Sequence, residues 1–456
     1  MLMMEMISSY FTTDDGNEDN RQQPQIYAKN SMDRFGDDLC GLLLSYLTFE
    51  DRFRYECVSK QFQRTVFKSV VDISINDQLI SHKSLKGRNF SYNPMDLKIV
   101  GQMLSHMYDS LMGYETTEFN TQLLATIARK CPNIQTIDCR GIGTKYEEHI
   151  PEMLNIFRGN SRHLREIYCN LGQNSDQLCH TFGPLVTRID RISAAEKQSL
   201  IHCHQLSRLH VFSLSDVFDN TSQQLLAKNL TKLLFGYNSD DNQLLSAFVA
   251  QNQSLKSLVV FYKNNITPGM FPEMSKQLSR LTQLRELRLI SPLIQQNLLS
   301  ESLRTIGLNC KQLKHLSFEL RGYNPPLDGN ALLSLRCYHR LKRFGLTLFG
   351  TIDEDLLEPL KLCHRLTHLT LYAKQMNYKL FDNCDKNWPR LQYFCLKVIT
   401  ITDELLDHIS RLPALQFLRI VCRHDIDIKD NDFSHLLSRS TKLKNIEIRI
   451  NKVSKY

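Results

Sequence analysis

The chain has 456 residues, of which 42% are hydrophobic and 23% are charged. A chain of this length and composition buries a large core, which excludes a peptide hormone, a disulfide-stapled miniprotein and a wholly disordered protein. The formal net charge of +8 is mild for this size and bears on function only where it is concentrated on one surface.

The amino-terminal part differs in texture from the rest. Residues 1–31 are polar and acidic, and we predict a flexible tail without chemistry of its own. Residues 32–67 contain three short helical patterns. In the first, Asp37 and Asp38 favour a helix start. Its leucines recur at four-residue steps and form one apolar stripe: Leu39, Leu43 and Leu47.

The third of these patterns carries a capping signal. Ser59 is placed to cap a helix in which Phe62 and Val66 lie one turn apart. Because a unit this short buries only a small core, we expect an apolar stripe to remain exposed for a neighbour or a partner.

From Ile134 onward the sequence repeats an L-x-x-L-x-L strand motif. The motif starts at residues 134, 164, 206, 230, 255, 284, 313, 341, 366, 391, 415 and 443. From residue 206 the starts are 24 to 29 residues apart, which is typical of leucine-rich repeats. A degenerate unit around Leu185 fills the longer gap before it. The repeats account for the leucine distribution, in which 50 of 69 leucines fall in residues 201–450.

Between the strand motifs, apolar residues recur at helical spacing, as in residues 121–130, 242–251, 353–362 and 402–411. The predicted fold class is therefore α/β: a leucine-rich-repeat solenoid of strand-loop-helix units, curved into a horseshoe with the strands on its concave face. We predict four parts: a tail (1–31), a three-helix unit (32–67), a linking unit with the strand VVDISI and a possible helix at 95–112 (68–130), and the repeat domain (131–456).

The segment FGDDLCGLLLSYLTFEDRFRYECVSKQF, from Phe35 to Phe62, resembles an F-box. It shares an acidic pair, spaced leucines, an Asp-containing turn, a Val-x-Lys and a closing aromatic, although Gly36 stands where Pro is usual and Phe62 where Trp is common. With the repeats, the chain is similar to the F-box/leucine-rich-repeat family. Several repeats also have the Cys that this family places three residues before the first leucine: Cys131, Cys310 and Cys363.

The resemblance implies a substrate-recognition subunit of an SCF-type ubiquitin ligase. In such a subunit, which is not itself an enzyme, the F-box docks on a Skp-type adaptor that bridges to cullin, and the repeats hold a protein target for ubiquitination and proteasomal degradation. The positions that match the core and adaptor contact of the box are Phe35, Leu39, Leu43, Leu47, Asp51, Val58 and Phe62. Two alternatives remain: a plain helical cap on the solenoid, and a non-ligase scaffold that binds protein or nucleic acid.

The charge of the repeats suggests where a target binds. The second, third and fifth residues of the motifs carry eleven Lys or Arg and four acidic residues, so most of the net charge falls on the predicted concave face. We predict an acidic or phosphorylated protein target there, with nucleic acid the less favoured partner. The candidate substrate-binding residues are Lys256, Arg285, Arg288, Lys314, Lys342, Arg343, Tyr393 and Phe417. The competing interpretation is that nearby loops neutralise these charges.

The sequence contains no motif of a catalytic site, a cofactor site or a paired metal cluster. His202, Cys203 and His204 are adjacent and point in different directions, so we predict packing residues rather than metal ligands, and no cofactor. The 13 cysteines are odd in number and lack C-x-x-C spacing, which indicates reduced thiols. With no signal peptide and no apolar run of membrane length, we predict a soluble protein of the cytoplasm, nucleus or both.

Overall fold

The structure is a computed structural model of the chain. It describes residues 37–47, 51–52, 55–56, 58–76, 121–144, 146–172, 175–192, 195–238, 241–262, 269–291, 296–320, 329–352, 354–399, 401–422 and 430–450. The chain divides into two compact units, one containing residues 1–71 and 129–133, the other containing the strands from Asp72 onward. Phe35, the predicted tail and the predicted helix at 95–112 lie outside the described residues.

The helices and strands follow one another in a repeating order. The α-helices are α1 (Asp37–Ser45), α2 (Lys60–Thr65), α3 (Thr121–Lys130), α4 (Ile150–Asn160), α5 (Ser175–Phe182), α6 (Asn242–Gln251), α7 (Met270–Leu278), α8 (Gln296–Asn309), α9 (Glu354–Leu357), α10 (Cys384–Asn387), α11 (Asp403–Ser410) and α12 (Asp430–Arg439). The strands are β1 (Asp72–Asn76), β2 (Thr136–Gly141), β3 (Glu166–Leu171), β4 (Val186–Ile192), β5 (Arg208–His210), β6 (Lys232–Tyr237), β7 (Ser257–Tyr262), β8 (Glu286–Ser291), β9 (His315–Leu320), β10 (Arg343–Leu348), β11 (Thr351–Ile352), β12 (His368–Tyr372), β13 (Gln375–Met376), β14 (Tyr393–Val398), β15 (Phe417–Cys422) and β16 (Asn445–Ile450).

In the first unit, α1 and α2 form as predicted. The helix α1 begins at the acidic pair Asp37 and Asp38, whose charges suit the positive end of the helix dipole. The hydroxyl of Ser59 accepts a hydrogen bond from the backbone N–H of Phe62 at 3.1 Å, which confirms the predicted cap of α2. The amide of Gln61 then donates to the Asp37 carboxylate at 2.9 Å and links the two helices.

The second unit is built on a sheet of parallel strands. Over the described residues, fourteen strands pair in chain order, from β1 to β10 and then β12, β14, β15 and β16. Each of the twelve predicted motifs begins its strand at its third residue. The strand β4 fills the degenerate unit around Leu185, and β1 is the predicted strand VVDISI. The α/β leucine-rich-repeat solenoid is therefore confirmed.

The repeats bury the leucines of their strands in one shared core. From β7 to β9 every second strand residue is fully buried, as Leu258, Leu287 and Leu316 are. The intervening residues point away from this core, because successive side chains in a strand alternate between its faces. The sheet thus has a core face and an open face, and we use the term open face for the second.

The connections between strands are less uniform than the sequence predicts. The helices α3, α6 and α11 match the predicted segments, but β5 and β6 are joined by a 3₁₀ helix at Leu214–Val217, and β9 and β10 by one at Gly329–Cys337. Polar residues explain the first difference: Asp219 accepts a hydrogen bond from the backbone N–H of Thr221 at 2.9 Å. Such local bonds favour turns over an α-helix.

A second buried row lies where the connections of the second unit turn back into the sheet. It consists of the residues three positions before the first residue of each motif from residue 164 onward, which we call the turn column. Its members are Ser161, Cys203, Ala227, Asn252, Leu281, Cys310, Tyr338, Cys363, Trp388, Leu412 and Ser440, all buried. Cys131, which precedes the first motif and belongs to the first unit, is buried as well. Burial raises the pKa of the Cys310 thiol to about 12 and that of Cys363 to about 11. These thiols stay protonated at neutral pH and act as small core residues.

Candidate functional site

The helix α1 has an exposed apolar face. Leu39 and Leu42 lie three positions apart on one side of α1, and Tyr46 follows directly after the last residue of the helix. Leu42 is 55% exposed and Tyr46 is 74% exposed, whereas Cys40 and Leu44 on the other side are fully buried. Large apolar side chains this exposed on a short helix are the kind of surface that partner proteins cover.

The predicted F-box residues divide between this surface and the core beneath it. Leu39 and Val58 are exposed, and Phe62 is buried. Leu43, Leu47 and Asp51 are half-buried. The four-residue steps in the sequence predict the stripe of Leu39, Leu43 and Leu47 but do not include Leu42 and Tyr46. A test of the three-residue step from Leu39 would have found Leu42.

On the open face, the strand residues fall into three aligned rows. The third, fifth and seventh residues of each motif share this face, because the alternation of a strand has a period of two. The second residues precede the strands, and four of the basic ones are exposed at the amino-terminal ends of their strands: Lys256, Arg285, Lys314 and Lys342. The six-residue motif does not include the seventh residues, such as Glu319, Tyr372 and Lys397. Continuing the alternation by one step beyond the motif would have included them.

Near the amino-terminal end of the sheet, basic side chains are paired with acids. Arg140 donates to both carboxylate oxygens of Asp138, at 2.8 and 2.6 Å, and forms an ion pair with Asp190. Arg188 also donates to Asp190, at 2.8 and 3.0 Å. Burial alone would raise the pKa of Asp190, but the bonds from Arg188 and Arg140 outweigh it and lower that pKa. The two arginines and two aspartates of this cluster therefore neutralise one another.

Two more cations of the open face have acidic partners. Arg288 lies 2.9 Å from Glu319 on the next strand, and Arg419 lies 3.2 Å from Glu447. Arg288 is one of the predicted substrate-binding residues, and its acidic partner Glu319 lies outside the six-residue motif. Its attraction for an acidic ligand is reduced accordingly.

The centre of the open face has a different composition. Arg343 is paired in register with His315 on β9 and with His368 on β12, so an arginine stands between two imidazoles; we call these three residues the His-Arg-His row. Arg343 is exposed, as are Lys314 and Lys342 one position before β9 and β10. Across the described part of the chain, none of these three cations is within ion-pair distance of an acidic side chain. Lys314, Lys342 and Arg343 therefore form a cluster of unpaired positive charge on two adjacent strands.

Burial and neighbouring charge affect both histidines of the row. Burial lowers the pKa of His315, and the Arg343 and Arg288 guanidiniums add to this, while Glu286 acts in the opposite direction. Burial also lowers the pKa of His368, together with Arg343 and His315. Both imidazoles are therefore neutral at pH 7.

Aromatic side chains continue the same row. Tyr393 is paired with His368 and its ring stacks on the imidazole at 5.5 Å between centroids and 23° between planes. Phe417 follows on β15 and is 42% exposed. The two predicted aromatic residues thus lie in line with Arg343, two and three strands away from it.

Of the adjacent His202, Cys203 and His204, the first two take part in local packing, whereas His204 is exposed. Cys203 belongs to the turn column, and its thiol lies 3.8 Å from the sulfur of Cys179. The His202 ring meets the His180 ring edge-to-face at 5.4 Å. Within the described ranges, no three His, Cys, Asp or Glu side chains are grouped closely enough to hold a metal ion.

The depressed histidine pKa values predict a pH-dependent stability. His210, His315 and His368 all have a pKa below the ordinary 6.5, chiefly through burial. As pH falls below 6.5, the unfolded chain takes up these protons first, so the free energy of unfolding should decrease. Urea midpoints measured at about pH 7.5 and about pH 5.5 check this. The double variant His315→Gln, His368→Gln should lose less stability over that interval than the wild type; an equal loss in both proteins would contradict the prediction.

The chain resembles known proteins in its fold rather than in its sequence. No model of a known protein family and no curated protein matches the chain. One similar solved structure is TLR13 in complex with ssRNA13, at 16% identity and a TM-score of 0.37, covering 70% of this chain and 44% of that one. Another is the Rad7 and Elc1 complex of yeast, at 14% identity and a TM-score of 0.43, covering 86% of this chain and 94% of that one. A third is the leucine-rich repeat-containing protein LegL7 of Legionella pneumophila, at 15% identity and a TM-score of 0.39, covering 63% of this chain and 93% of that one. The chain spans less than half the length of TLR13.

The assignment of the fold depends on the paired strands themselves rather than on these similarities. Over the described residues, fourteen strands pair in chain order and twelve of them begin at the third residue of their motif, which makes a leucine-rich-repeat scaffold. In the part of the chain that the structure describes, no helix has both the length and the apolar composition needed to cross a membrane.

Proposed function

We propose that this chain is the substrate-recognition subunit of an SCF-type ubiquitin ligase. In this proposal the first unit docks on a Skp-type adaptor, which bridges to cullin, and the open face of the repeat sheet holds a protein target. The observation that carries the proposal is the exposed apolar face of α1, within a segment that resembles an F-box. The chain itself catalyses nothing; it brings a target lysine close to a charged ubiquitin carrier and raises its effective concentration.

The exposed face of α1 has the properties of a binding hot spot. Tyr46 and Leu42 present large apolar side chains to solvent, and Tyr is enriched among residues that dominate binding energy. Covering such side chains contributes about 25 cal/mol per Å² of apolar surface removed from water. The helix is held from behind by the buried Cys40 and Leu44, so little ordering is needed when a partner binds.

The open face supports the other half of the proposal. Repeat solenoids bind partners along such surfaces because each repeat contributes a few side chains to an extended area. Here the unpaired cations Lys314, Lys342 and Arg343 favour an acidic or phosphorylated target. Arg140, Arg188 and Arg288 are instead paired with acidic side chains.

Co-purification with a Skp-type adaptor tests the proposal. The double variant Leu42→Asp, Tyr46→Asp places two charges on the exposed face and should weaken adaptor binding by about 2 kcal/mol or more, roughly thirtyfold. Both side chains are exposed in the free chain, so the fold should be retained, which circular dichroism checks.

A matched control is available on a different helix. Leu308 on α8 is 50% exposed, and Leu308→Asp introduces the same kind of charge without touching α1. This control should bind the adaptor as well as the wild type does. Equal adaptor recovery from the wild type and the double variant would refute the docking proposal.

A further inference from the structure

We infer that the His-Arg-His row is a phosphate-recognition site for a phosphorylated segment of the target. An apolar or aromatic residue of that segment, three to four positions from the phosphorylated residue, packs on Tyr393 or Phe417. The inference deepens the proposed function by naming the class of target, and it depends on that proposal only in taking the ligand to be a protein. It is carried by the register of five neighbouring strands, β9, β10, β12, β14 and β15.

The geometry of the row suits a phosphate group. Neighbouring strands lie about 4.8 Å apart, so His315 and His368 stand on either side of Arg343 within a width of roughly 10 Å. An arginine fork binds two phosphate oxygens at once, and an imidazole on each side can donate to the remaining oxygens. Lys314 and Lys342, exposed at the start of the same strands, add positive charge beside them.

The acidic residues around the row do not cancel its charge. Glu319 is held by Arg288 at 2.9 Å. Glu286, whose charge acts on His315, accepts a hydrogen bond from Ser257 at 2.8 Å and forms no ion pair with Arg343. Arg343 has no acidic partner among the described residues, in contrast to Arg140 and Arg188. The row therefore keeps an arginine that is free to bind an anion.

The spacing of the aromatic residues defines the rest of the ligand. Tyr393 is two strands from Arg343 and Phe417 is three, which corresponds to about 10 and 14 Å. An extended peptide crossing the strands advances about 3.3 Å per residue. When a phosphorylated residue of the peptide binds Arg343, the peptide residue three positions further along lies over Tyr393. The peptide residue about four positions further along lies over Phe417.

Binding at this site is coupled to protonation. Glu286, Arg288 and Arg343 face His315; Arg343, His315, Thr367 and Tyr393 face His368. A phosphate dianion between the two imidazoles favours their charged forms, so each binding event takes up protons. The affinity for the dianion should rise as pH falls from about 7.5 to about 6.5. Over this interval the phosphate stays mostly a dianion, because its second pKa is near 6.

The test uses the full chain without adaptor and a set of fluorescent peptides. Each peptide has a central phosphoserine in a Ser/Gly/Ala background, with one Phe moved through all other positions, and binding is read by fluorescence anisotropy. We expect phosphate-dependent binding that is strongest with Phe three or four positions from the phosphoserine. Arg343→Gln should weaken it by about tenfold or more, the loss typical of a charged hydrogen-bonding pair. The matched control Arg165→Gln, which removes an exposed arginine beside β3, should leave it unchanged.

A second readout does not need a well-chosen peptide. Titration of the histidine ring protons by NMR should show the pKa of His315 and His368 rising in phosphate buffer relative to chloride, and not in Arg343→Gln. Absence of this rise, or equal binding of phosphorylated and unphosphorylated peptides, would overturn the inference. Stronger binding of single-stranded RNA than of any phosphopeptide, lost in Arg343→Gln, would replace it with nucleic-acid recognition.

Failure here and failure of the proposed function are distinguishable. The adaptor is absent from the peptide assay, so Leu42→Asp, Tyr46→Asp should bind the peptides like the wild type. Conversely, Arg343→Gln should leave adaptor co-purification unchanged.

Discussion

Replacing Trp388 with Ala should lower the free energy of unfolding by about 3–5 kcal/mol, the usual cost of deleting a fully buried aromatic side chain. Trp388 is the single tryptophan of the chain and has no exposed surface. Its ring packs edge-to-face on Phe381 at 6.2 Å, and its indole N–H donates to the carbonyl of Leu360 at 3.1 Å. The substitution opens a cavity and leaves that carbonyl without its donor, so both effects act in the same direction.

The two effects can be separated with a second variant. Trp388→Phe keeps most of the ring and loses the N–H, so its cost should be smaller than that of Trp388→Ala. Urea unfolding followed by circular dichroism measures both, because either variant removes the only tryptophan fluorescence. A loss below about 1 kcal/mol in Trp388→Ala would show that the turn column contributes little to stability.

The strands of this protein are predictable because their signal is local and repeated. The first, fourth and sixth residues of every motif face the core, so the same apolar pattern returns in each unit and marks each strand start. The cap at Ser59 is predictable for the same reason, since a helix cap depends on residues only three positions away. Local chemistry of this kind can be read from one segment at a time.

The turn column shows what a residue pattern misses. Cys310 and Cys363 could be recognised because they share one residue type, but Trp388 and Asn252 occupy the same place with different chemistry. What the members share is burial, which arises only once neighbouring repeats have stacked. A sequence motif records residue identity, and this position is defined by its surroundings.

The binding surfaces were predictable only in part for a related reason. The basic character of the open face follows from the motif, yet the partner of Arg288 is Glu319, 31 residues away and outside the motif. Which cations remain free depends on such contacts between strands. The basic pattern of the sequence includes Arg343 among eight candidates. In the structure its two histidine neighbours distinguish it from the other seven, and, unlike Arg288, it has no acidic partner among the described residues.

A second member of the turn column carries the other large stability prediction. Asn252 is fully buried on the C-terminal side of α6, and its amide is used at both ends. Its oxygen accepts from the backbone N–H of Leu230 at 2.9 Å, in the preceding repeat, and its nitrogen donates to the carbonyl of Phe248 at 3.2 Å. The side chain thus satisfies two buried backbone groups that no water reaches.

Asn252→Leu should therefore destabilise the chain by about 1–3 kcal/mol for each backbone group that it leaves without a partner, although leucine is the more apolar residue of similar size. The matched control is Asn309→Leu at the end of α8, where Nδ2 makes the same contact with a carbonyl four residues earlier, that of Thr305, at 2.8 Å, but on the surface. Water replaces that bond, so Asn309→Leu should change the free energy of unfolding by less than about 0.5 kcal/mol. Urea unfolding of the two variants side by side measures the difference. Equal stability of both would mean that the Leu230 N–H finds another acceptor and that the link between these repeats does not depend on the Asn252 amide.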